Sequence, residues 1–219
     1  MAPGDVHELR IPKAGRFGTI SGYFNDPGKL ADAALRFDGR VPGIYITLNP
    51  CKPELIARAA NRLREYVQIT TTDEQILRRQ FVLIDCDPVR PTGISSTDAQ
   101  HDRAITVARS VWDYLRSNGY PDPVLADSGN GAHLLQPVDL PNNAAALNGV
   151  KSLLAVLQAE CGTDDIKIDL TMSNAARITK LYGSMACKGD NLPEWPHRRS
   201  RILEAPAVIG KQNYMEAAI

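Results

Sequence analysis

Two aspartates at the end of an apolar run are the residues best placed to do chemistry. Asp85 and Asp87 follow four apolar residues, 81–84, which predict a strand buried on both faces. Residues i and i+2 of a strand share a face, so the two carboxylates lie roughly 6.5–7 Å apart along it. Like charges at the end of a buried strand favour a cation between them. The alternative is a strand that runs into a solvated acidic turn, ended by Pro88.

A third carboxylate comes from a different predicted strand. Asp169 lies between Ile168 and Leu170 in a stretch of alternating apolar residues, 166–170. Three carboxylates without nitrogen or sulfur ligands suit Mg²⁺ or Mn²⁺ better than zinc. Two such ions, ~3.5–4 Å apart, could activate a 3′-hydroxyl and stabilise a departing pyrophosphate.

A glycine-rich turn with a histidine after it is the second candidate site. It runs through Ser128, Gly129, Asn130 and Gly131, and His133 follows. Two glycines let the backbone approach a ligand, and its N–H groups can form a nest for an anion. We therefore interpret the turn as a triphosphate cradle. The alternative is a tight hairpin turn with a histidine of the core.

Basic residues concentrate after the third aspartate, where metal-bound phosphates would need positive charge. The alternative for each of them is a solvated surface cation. The candidates for nucleotide binding are Arg177, Lys180, Lys188, His197 and Arg198.

Hydrophobic periodicity predicts the elements that position these residues. From residue 81 the order is strand, helix, strand, strand, helix, strand, with the helices at about 97–117 and 143–160. This βαββαβ order predicts an α+β fold of the ferredoxin-like or RNA-recognition-motif (RRM-like) type, an antiparallel sheet with helices on one face. We expect residues 81–219 to form this catalytic subdomain. Residues 1–80 would form a smaller N-terminal α/β subdomain, with loosely held residues 1–16 and helices at 29–37 and 53–66.

Composition limits the functional classes. Lys+Arg and Asp+Glu both number 25 among 219 residues, so a nucleic-acid partner would need a local basic surface. No apolar run approaches 18 residues, which argues against a membrane or secreted protein. The four cysteines are far apart with no C-x-x-C pair, so we expect no zinc site, reduced thiols and a cytoplasmic location.

Taken together, these motifs resemble the archaeo-eukaryotic primase superfamily, specifically the primase-polymerase (PrimPol) group of phages, plasmids and CRISPR loci. Asp85-Cys86-Asp87 matches its D-x-D/E motif, residues 128–133 match its S-G-x-G-x-H motif, and Ile168-Asp169 matches its hydrophobic-Asp motif. Similarity extends from about Gly22 to Leu203. One departure is Trp195, where the family often has the first arginine of R-P-H-R.

The resemblance implies template-directed nucleotidyl transfer that makes and extends primers on single-stranded DNA. Asp85, Asp87 and Asp169 would hold two divalent ions, and Ser128 and His133 would bind the incoming triphosphate. The implied partners are template, primer and nucleoside triphosphates, with a helicase, an accessory priming domain or CRISPR adaptation proteins beyond them. Helicase and accessory domains usually follow this module, so we expect an excised catalytic core or a short stand-alone form.

Two other functions remain open on the sequence. A two-metal nuclease also uses clustered carboxylates, although it has less need of the glycine-rich turn and the basic tail. A replication-initiator module that binds DNA without catalysis could use the same sheet. A relaxase is disfavoured because the chain has no His-x-His.

Overall fold

The structure is a computed structural model that describes residues 2–207. It is a mixed α+β fold, as predicted. The α-helices are α1 (Pro27–Leu35), α2 (Asp98–Ser117) and α3 (Ala144–Cys161). The strands are β1 (His7–Ile11), β2 (Ile20–Phe24), β3 (Tyr45–Thr47), β4 (Arg79–Pro88), β5 (Val124–Asp127), β6 (Ala132–Leu140), β7 (Ile166–Ile168), β8 (Ile178–Lys180), β9 (Met185–Ala186), β10 (Arg198–Arg199) and β11 (Arg201–Glu204). Short 3₁₀ helices span Gly15–Phe17, Pro53–Arg58, Asp73–Gln75 and Leu170–Ser173.

The larger sheet has the predicted ferredoxin-like order. Its strands follow the sequence β11-β5-β6-β4-β7, and every neighbouring pair is antiparallel. Without the edge strand β11, this is the arrangement of a βαββαβ unit, with the first and third strands at the centre. The RRM-like prediction for this part of the chain is confirmed.

Helices α2 and α3 cover one face of this sheet. Helix α2 begins with a capping box, in which the Thr97 hydroxyl accepts from the Gln100 backbone N–H and the Gln100 side chain accepts from the Thr97 N–H. Its buried stripe packs on the β4 residues that point to the same side, Val82, Ile84 and Cys86. The remaining face of the sheet is therefore left for the candidate site.

The smaller sheet has the order β2-β1-β3-β8, so it includes one strand, β8, that comes from far along the chain. Strand β8 pairs with β3, and β1 lies between β2 and β3. The prediction that residues 1–16 are loosely held was wrong. Leu9 and Ile11 are fully buried against helix α1 and its neighbours, and the central position of β1 satisfies its backbone on both sides.

The predicted helix at 53–66 was also wrong beyond Arg58. The backbone groups of this segment bond to strand β2 instead of to the preceding turn: Asn61 N–H donates to the Tyr23 carbonyl, and Arg64 exchanges hydrogen bonds with Ser21. Asn61 and Tyr66 have φ near +50°, which a right-handed helix does not allow. Tertiary pairing thus overrides a helical pattern of apolar residues.

The division of the chain at residue 80 stays a prediction, and its last residues, 208–219, lie outside the described part. No helix of the described residues combines the length and the apolar character needed to cross a membrane.

Candidate active site

The two aspartates of strand β4 lie on the face away from the helices. Ile84 and Cys86 point into the helix-covered core, so Asp85 and Asp87 alternate to the other side. The Asp85 side chain is 20% exposed and the Asp87 side chain 40% exposed. Both carboxylates are thus partly removed from water and share one side of the sheet.

The two carboxylates respond differently to their surroundings. Burial raises the pKa of Asp87, the negative charge of Asp85 raises it further, and an ion pair with Arg90 at 2.9 Å only partly offsets this. Burial also acts on Asp85, but His133 outweighs it, with smaller help from Lys188 and Arg90, so its pKa is lowered. The surroundings thus favour the ionised form of Asp85 and disfavour that of Asp87.

His133 faces Asp85 from the neighbouring strand β6. The two residues are direct partners in the sheet, and His133 Nε2 lies 3.5 Å from Asp85 Oδ1. On the other side of the ring, Nδ1 lies 2.9 Å from the Tyr182 hydroxyl and 3.4 Å from Thr179 Oγ1. The imidazole is therefore held between a carboxylate and the half-buried Tyr182, which fixes its orientation.

The turn between β5 and β6 approaches the acidic strand so closely that glycine is required. A Cβ on Gly131 would lie 2.5 Å from the Cys86 carbonyl oxygen and 3.1 Å from Asp87 Oδ1. Gly129 has φ +91°, and a Cβ there would lie 2.6 Å from the Cβ of Ala186. Gly131 thus allows the turn to lie directly beside the carboxylates, and Gly129 allows it to pack against β9 and β10.

The polar side chains of the turn are engaged mainly in holding its shape. The Ser128 hydroxyl accepts from the Gly131 N–H at 3.0 Å. Asn130 Oδ1 accepts from the Ser96 N–H at 2.9 Å, which ties the turn to the loop before α2. Ser128 and Asn130 nevertheless line the cleft beside the acidic pair.

Two lysines supply positive charge in this cleft. Lys180 is only 4% exposed, its Nζ donates to the Met185 carbonyl at 2.6 Å, and it lies 5.5 Å from the Tyr45 ring centre. Burial lowers the pKa of Lys180 to about 8. Lys188 lines the same cleft as the two aspartates, and its charge opposes the rise in the pKa of Asp87 and contributes to the lowered pKa of Asp85.

The cleft thus joins most of the predicted site residues in a cavity of about 120 Å³. Its lining combines the acidic pair, the turn, His133 and both lysines with three residues that we did not predict. The full lining is Pro42, Tyr45, Asp85, Asp87, Ser128, Asn130, His133, Lys180, Ala186 and Lys188.

Asp169 lies next to the cleft without lining it. Its backbone N–H donates to the Asp85 carbonyl at 3.0 Å, so the two residues face each other across β4 and the end of β7. Its carboxylate caps the following 3₁₀ helix, where Oδ1 accepts from the Thr171 N–H at 2.8 Å. Backbone pairing therefore places Asp169 beside Asp85, as predicted, while its side chain bonds to the following turn.

Three of the predicted basic residues bond away from the cleft. The Arg177 guanidinium donates to the Thr171 carbonyl, and His197 Nε2 contacts the Gly189 carbonyl at 2.9 Å. Arg198 donates to the Ser96 carbonyl at 2.9 Å and pairs with Asp98 at 2.6 Å. Since Arg198 also reaches the Gly129 carbonyl at 3.3 Å, it supports the glycine turn from outside.

The sequence reasoning missed the aromatic part of the site. Tyr182, whose pKa is raised by burial, contacts His133, while Tyr45 lines the cleft beside Lys180. Arg90, which neutralises part of the charge of Asp87, was also missed. A signal for Arg90 existed in its position three residues after Asp87, but the tyrosines reach the site through long-range strand pairing.

The acidic pair fits a divalent cation in its donor chemistry, because carboxylate oxygens are the ligands that hard cations prefer. A positive ion would also relieve the repulsion that raises the pKa of Asp87. Within residues 2–207, however, no three His, Cys, Asp or Glu side chains are grouped so that they could hold one metal ion. The predicted centre of three carboxylates is not assembled, and a two-ion site stays a prediction.

Comparison with solved structures finds a weak likeness, whereas the other comparisons find none. No family model matches the chain, and no curated protein matches it. The polymerase domain of ligase D from Mycobacterium tuberculosis, solved in complex with DNA, is similar with a TM-score of 0.46 and 19% identity. The alignment covers 86% of this chain and 62% of that one, so this chain spans less than two thirds of its neighbour's length.

Proposed function

We propose that the cleft catalyses metal-dependent nucleotidyl transfer, in which a 3′-hydroxyl attacks the α-phosphate of a nucleoside triphosphate and pyrophosphate leaves. One observation carries this proposal. Two carboxylates with opposite pKa shifts line a single cleft together with two lysines and a glycine turn. A site that must neutralise a metal-bound triphosphate needs both signs of charge at close range.

Each group in the cleft has a part that follows from its position. Asp85 and Asp87 would hold a divalent ion, which when bound supplies Lewis-acid polarisation of the reacting phosphate. Lys180 and Lys188 bind phosphate oxygens, and the low pKa of Lys180 rises when a phosphate replaces water beside it. His133, oriented by Tyr182, donates to a phosphate oxygen or keeps Asp85 ionised.

We further propose that the reaction is primer synthesis and extension on single-stranded DNA, from deoxy- or ribonucleoside triphosphates with Mg²⁺ or Mn²⁺. The support is the order of the three acidic and glycine-rich motifs along a ferredoxin-like sheet of the predicted topology. In this proposal Asp169 is a third ligand, which requires its carboxylate to exchange the Thr171 N–H for the metal.

The test is incubation of unprimed single-stranded DNA with nucleotides and either metal, followed by separation of the products by length. We expect new and extended strands from the wild type, and a loss of about 10²–10³-fold in rate for Asp85→Asn and Asp87→Asn. The matched control is Asp113→Asn/Asp164→Asn, which removes two exposed carboxylates outside the cleft and retains activity.

The same assay separates the other functions. Shortened DNA in place of extended DNA would identify a nuclease and contradict the proposal. DNA binding that is indifferent to metal, together with no affinity for nucleotides, would identify a non-catalytic initiator module.

A further inference from the structure

Arginines differ sharply in how they are paired in the two parts of the fold. On α2, Arg103 pairs with Asp165, Arg109 with Glu204 and Arg116 with Asp122. In the N-terminal part, Arg16, Arg36 and Arg40 are exposed, and none forms an ion pair with a carboxylate of residues 2–207. Because the whole chain has equal numbers of acidic and basic residues, this unpaired charge is a local feature.

The three arginines surround one cavity of about 670 Å³ that also has aromatic walls. Phe17 and Phe37 are half-exposed there, and the Arg16 guanidinium lies 4.8 Å from the centre of the Phe17 ring. The cavity also contains one acidic residue, Glu65, followed by Tyr66.

Tyr66 adds an aromatic side chain in the neighbouring cavity, of about 360 Å³, which Glu65 also lines. Its side chain is 60% exposed, and its backbone N–H donates to the Phe17 carbonyl at 3.0 Å. Its φ of +54° is unusual for a residue with a large side chain, and the hydrogen bond to Phe17 holds it there. We name the whole set the arginine surface, and its members are Arg16, Phe17, Arg36, Phe37, Arg40 and Tyr66.

The arginine surface adjoins the candidate active site. Val41 lines the arginine cavity, and the next residue, Pro42, lines the cleft that holds Asp85 and Asp87. Lys13 and Pro42 also line a third cavity, of about 530 Å³, that reaches Asp87 and Lys188. Basic residues thus line both the arginine cavity and the cavity that reaches Asp87, and the two cavities are adjacent at Val41 and Pro42.

We propose that the arginine surface binds single-stranded nucleic acid and guides it toward the cleft. Unpaired guanidiniums bind phosphates without breaking an existing ion pair. Exposed Tyr66 and the half-exposed Phe17 and Phe37 offer ring faces, which stack with bases of any sequence. An acidic protein segment would use the charges but not the rings. The assignment of the bound strand as a DNA template rests on the proposed function, whereas the binding itself needs neither metal nor nucleotide.

The first test measures the binding of a fluorescent single-stranded oligothymidylate by anisotropy, in EDTA and without nucleotides, over a range of salt concentrations. The variant is Arg16→Ala/Arg36→Ala/Arg40→Ala. We expect its Kd to rise at least about tenfold and its dependence of log K on log salt to flatten by about 2, because each phosphate contact to a single strand contributes about 0.7.

The matched control is Arg103→Ala/Arg109→Ala/Lys151→Ala, which removes the same charge from exposed positions on α2 and α3. We expect nearly wild-type affinity and an unchanged salt slope. An equal loss in both triple variants would mean that only net charge matters, and would overturn the proposal. So would equal affinity for a duplex, or displacement of the oligonucleotide by polyglutamate at matched charge.

A second test separates stacking from charge. Tyr66→Ala should weaken oligothymidylate binding about tenfold, whereas Tyr66→Phe should retain it, since the ring and not the hydroxyl stacks. Unchanged binding by Tyr66→Ala would remove the ring from the surface.

The double variant Asp85→Asn/Asp87→Asn distinguishes failure of the proposed function from failure of the arginine surface. If it binds the oligonucleotide normally but wild-type protein makes no strands, the proposed function fails and the arginine surface stands. If strands are made but the arginine variant binds and primes as the wild type does, the arginine surface fails alone.

Discussion

Two regions of this molecule remove carboxylates from water, and they differ in how completely hydrogen bonds and cations compensate the buried charge. In the smaller sheet, Glu8 is fully buried, and its oxygens accept from Arg10, from the Ser21 hydroxyl at 2.5 Å and from the Thr71 N–H at 2.9 Å. In the cleft, Asp87 is less buried and has one cationic hydrogen-bond partner, Arg90.

The consequence is visible in the direction of each pKa. Burial alone would raise the pKa of Glu8, but Arg10, followed by Ser21 and Thr71, lowers it. The pKa of Asp87 is raised, because burial and Asp85 outweigh Arg90. A buried charge that serves the fold is fully compensated within it, whereas one that is only partly compensated is a candidate for function.

The largest expected effect in this comparison is that of replacing Glu8. Glu8→Ala should lower the free energy of unfolding by about 3–5 kcal/mol, because it leaves Arg10 and the Thr71 N–H without their partner. Denaturant unfolding at neutral pH measures it. Glu160→Ala, at an exposed position of α3, is the control and should change stability by less than about 0.5 kcal/mol.

The same residue gives the sign of an acid transition. Because the pKa of Glu8 is lower in the folded state than its ordinary 4.5, its contribution is complete above that value. It is lost as the pH falls through the folded pKa. A Glu8→Ala variant that matched the wild type in stability would show that the network is dispensable and would remove the contrast with the cleft.

The sequence predicted those elements of the fold that have a regular local pattern, and it missed those that depend on distant partners. Long regular patterns of apolar residues predict strand β4, the β5–β6 hairpin and helices α2 and α3. The topology of these elements places Asp85 opposite His133. Strand β1 was missed because its polar residues, among them Glu8 and Arg10, look like a solvated terminus unless their tertiary partners are known. The segment after Arg58 was misread because its backbone bonds to β2, which no local pattern reveals.

The candidate site was predicted to a similar extent. The acidic pair, the turn, His133 and the two lysines come from motifs, and the structure places them in one cleft. The side-chain bonds of Asp169 to Thr171 and of Arg198 to Ser96 depend on competing local partners, so sequence spacing could not foresee them. Tyr182 depends on the three-residue strand β8, which is too short to show a periodicity.

Lys180 provides the next largest test, as a second charge that the cleft leaves poorly satisfied. Its pKa falls from 10.5 to about 8 through burial, so the unfolded chain binds the proton more tightly than the folded one. Stability from this residue is complete above about pH 10.5 and is lost as the pH falls toward 8.

We therefore compare Lys180→Met with the wild type at pH 10 and pH 7.5. The difference in free energy of unfolding should move in favour of the variant by about 2 kcal/mol between these values. Lys151→Met, on the exposed face of α3, should show no such change. A constant difference across this range would mean that Lys180 is not strained by its burial, and the cleft would then resemble the Glu8 network.

The smallest effect, and the most direct one, is expected at Asp87. In the absence of divalent metal, Asp87→Asn should raise the free energy of unfolding by no more than about 1 kcal/mol, because the side chain is 40% exposed and solvent screens its repulsion from Asp85. The amide oxygen can still accept from Arg90, so the change removes charge and little else.

Titration with Mn²⁺ should raise the melting temperature of the wild type but not of this variant, since the ion acts on the charge that the variant lacks. Glu160→Gln, an exposed change of the same chemistry, should respond to Mn²⁺ as the wild type does. If Asp87→Asn instead destabilised the protein as strongly as the loss of Glu8, then Asp87 would serve the fold, and the cleft would not differ from the Glu8 network in how it compensates charge.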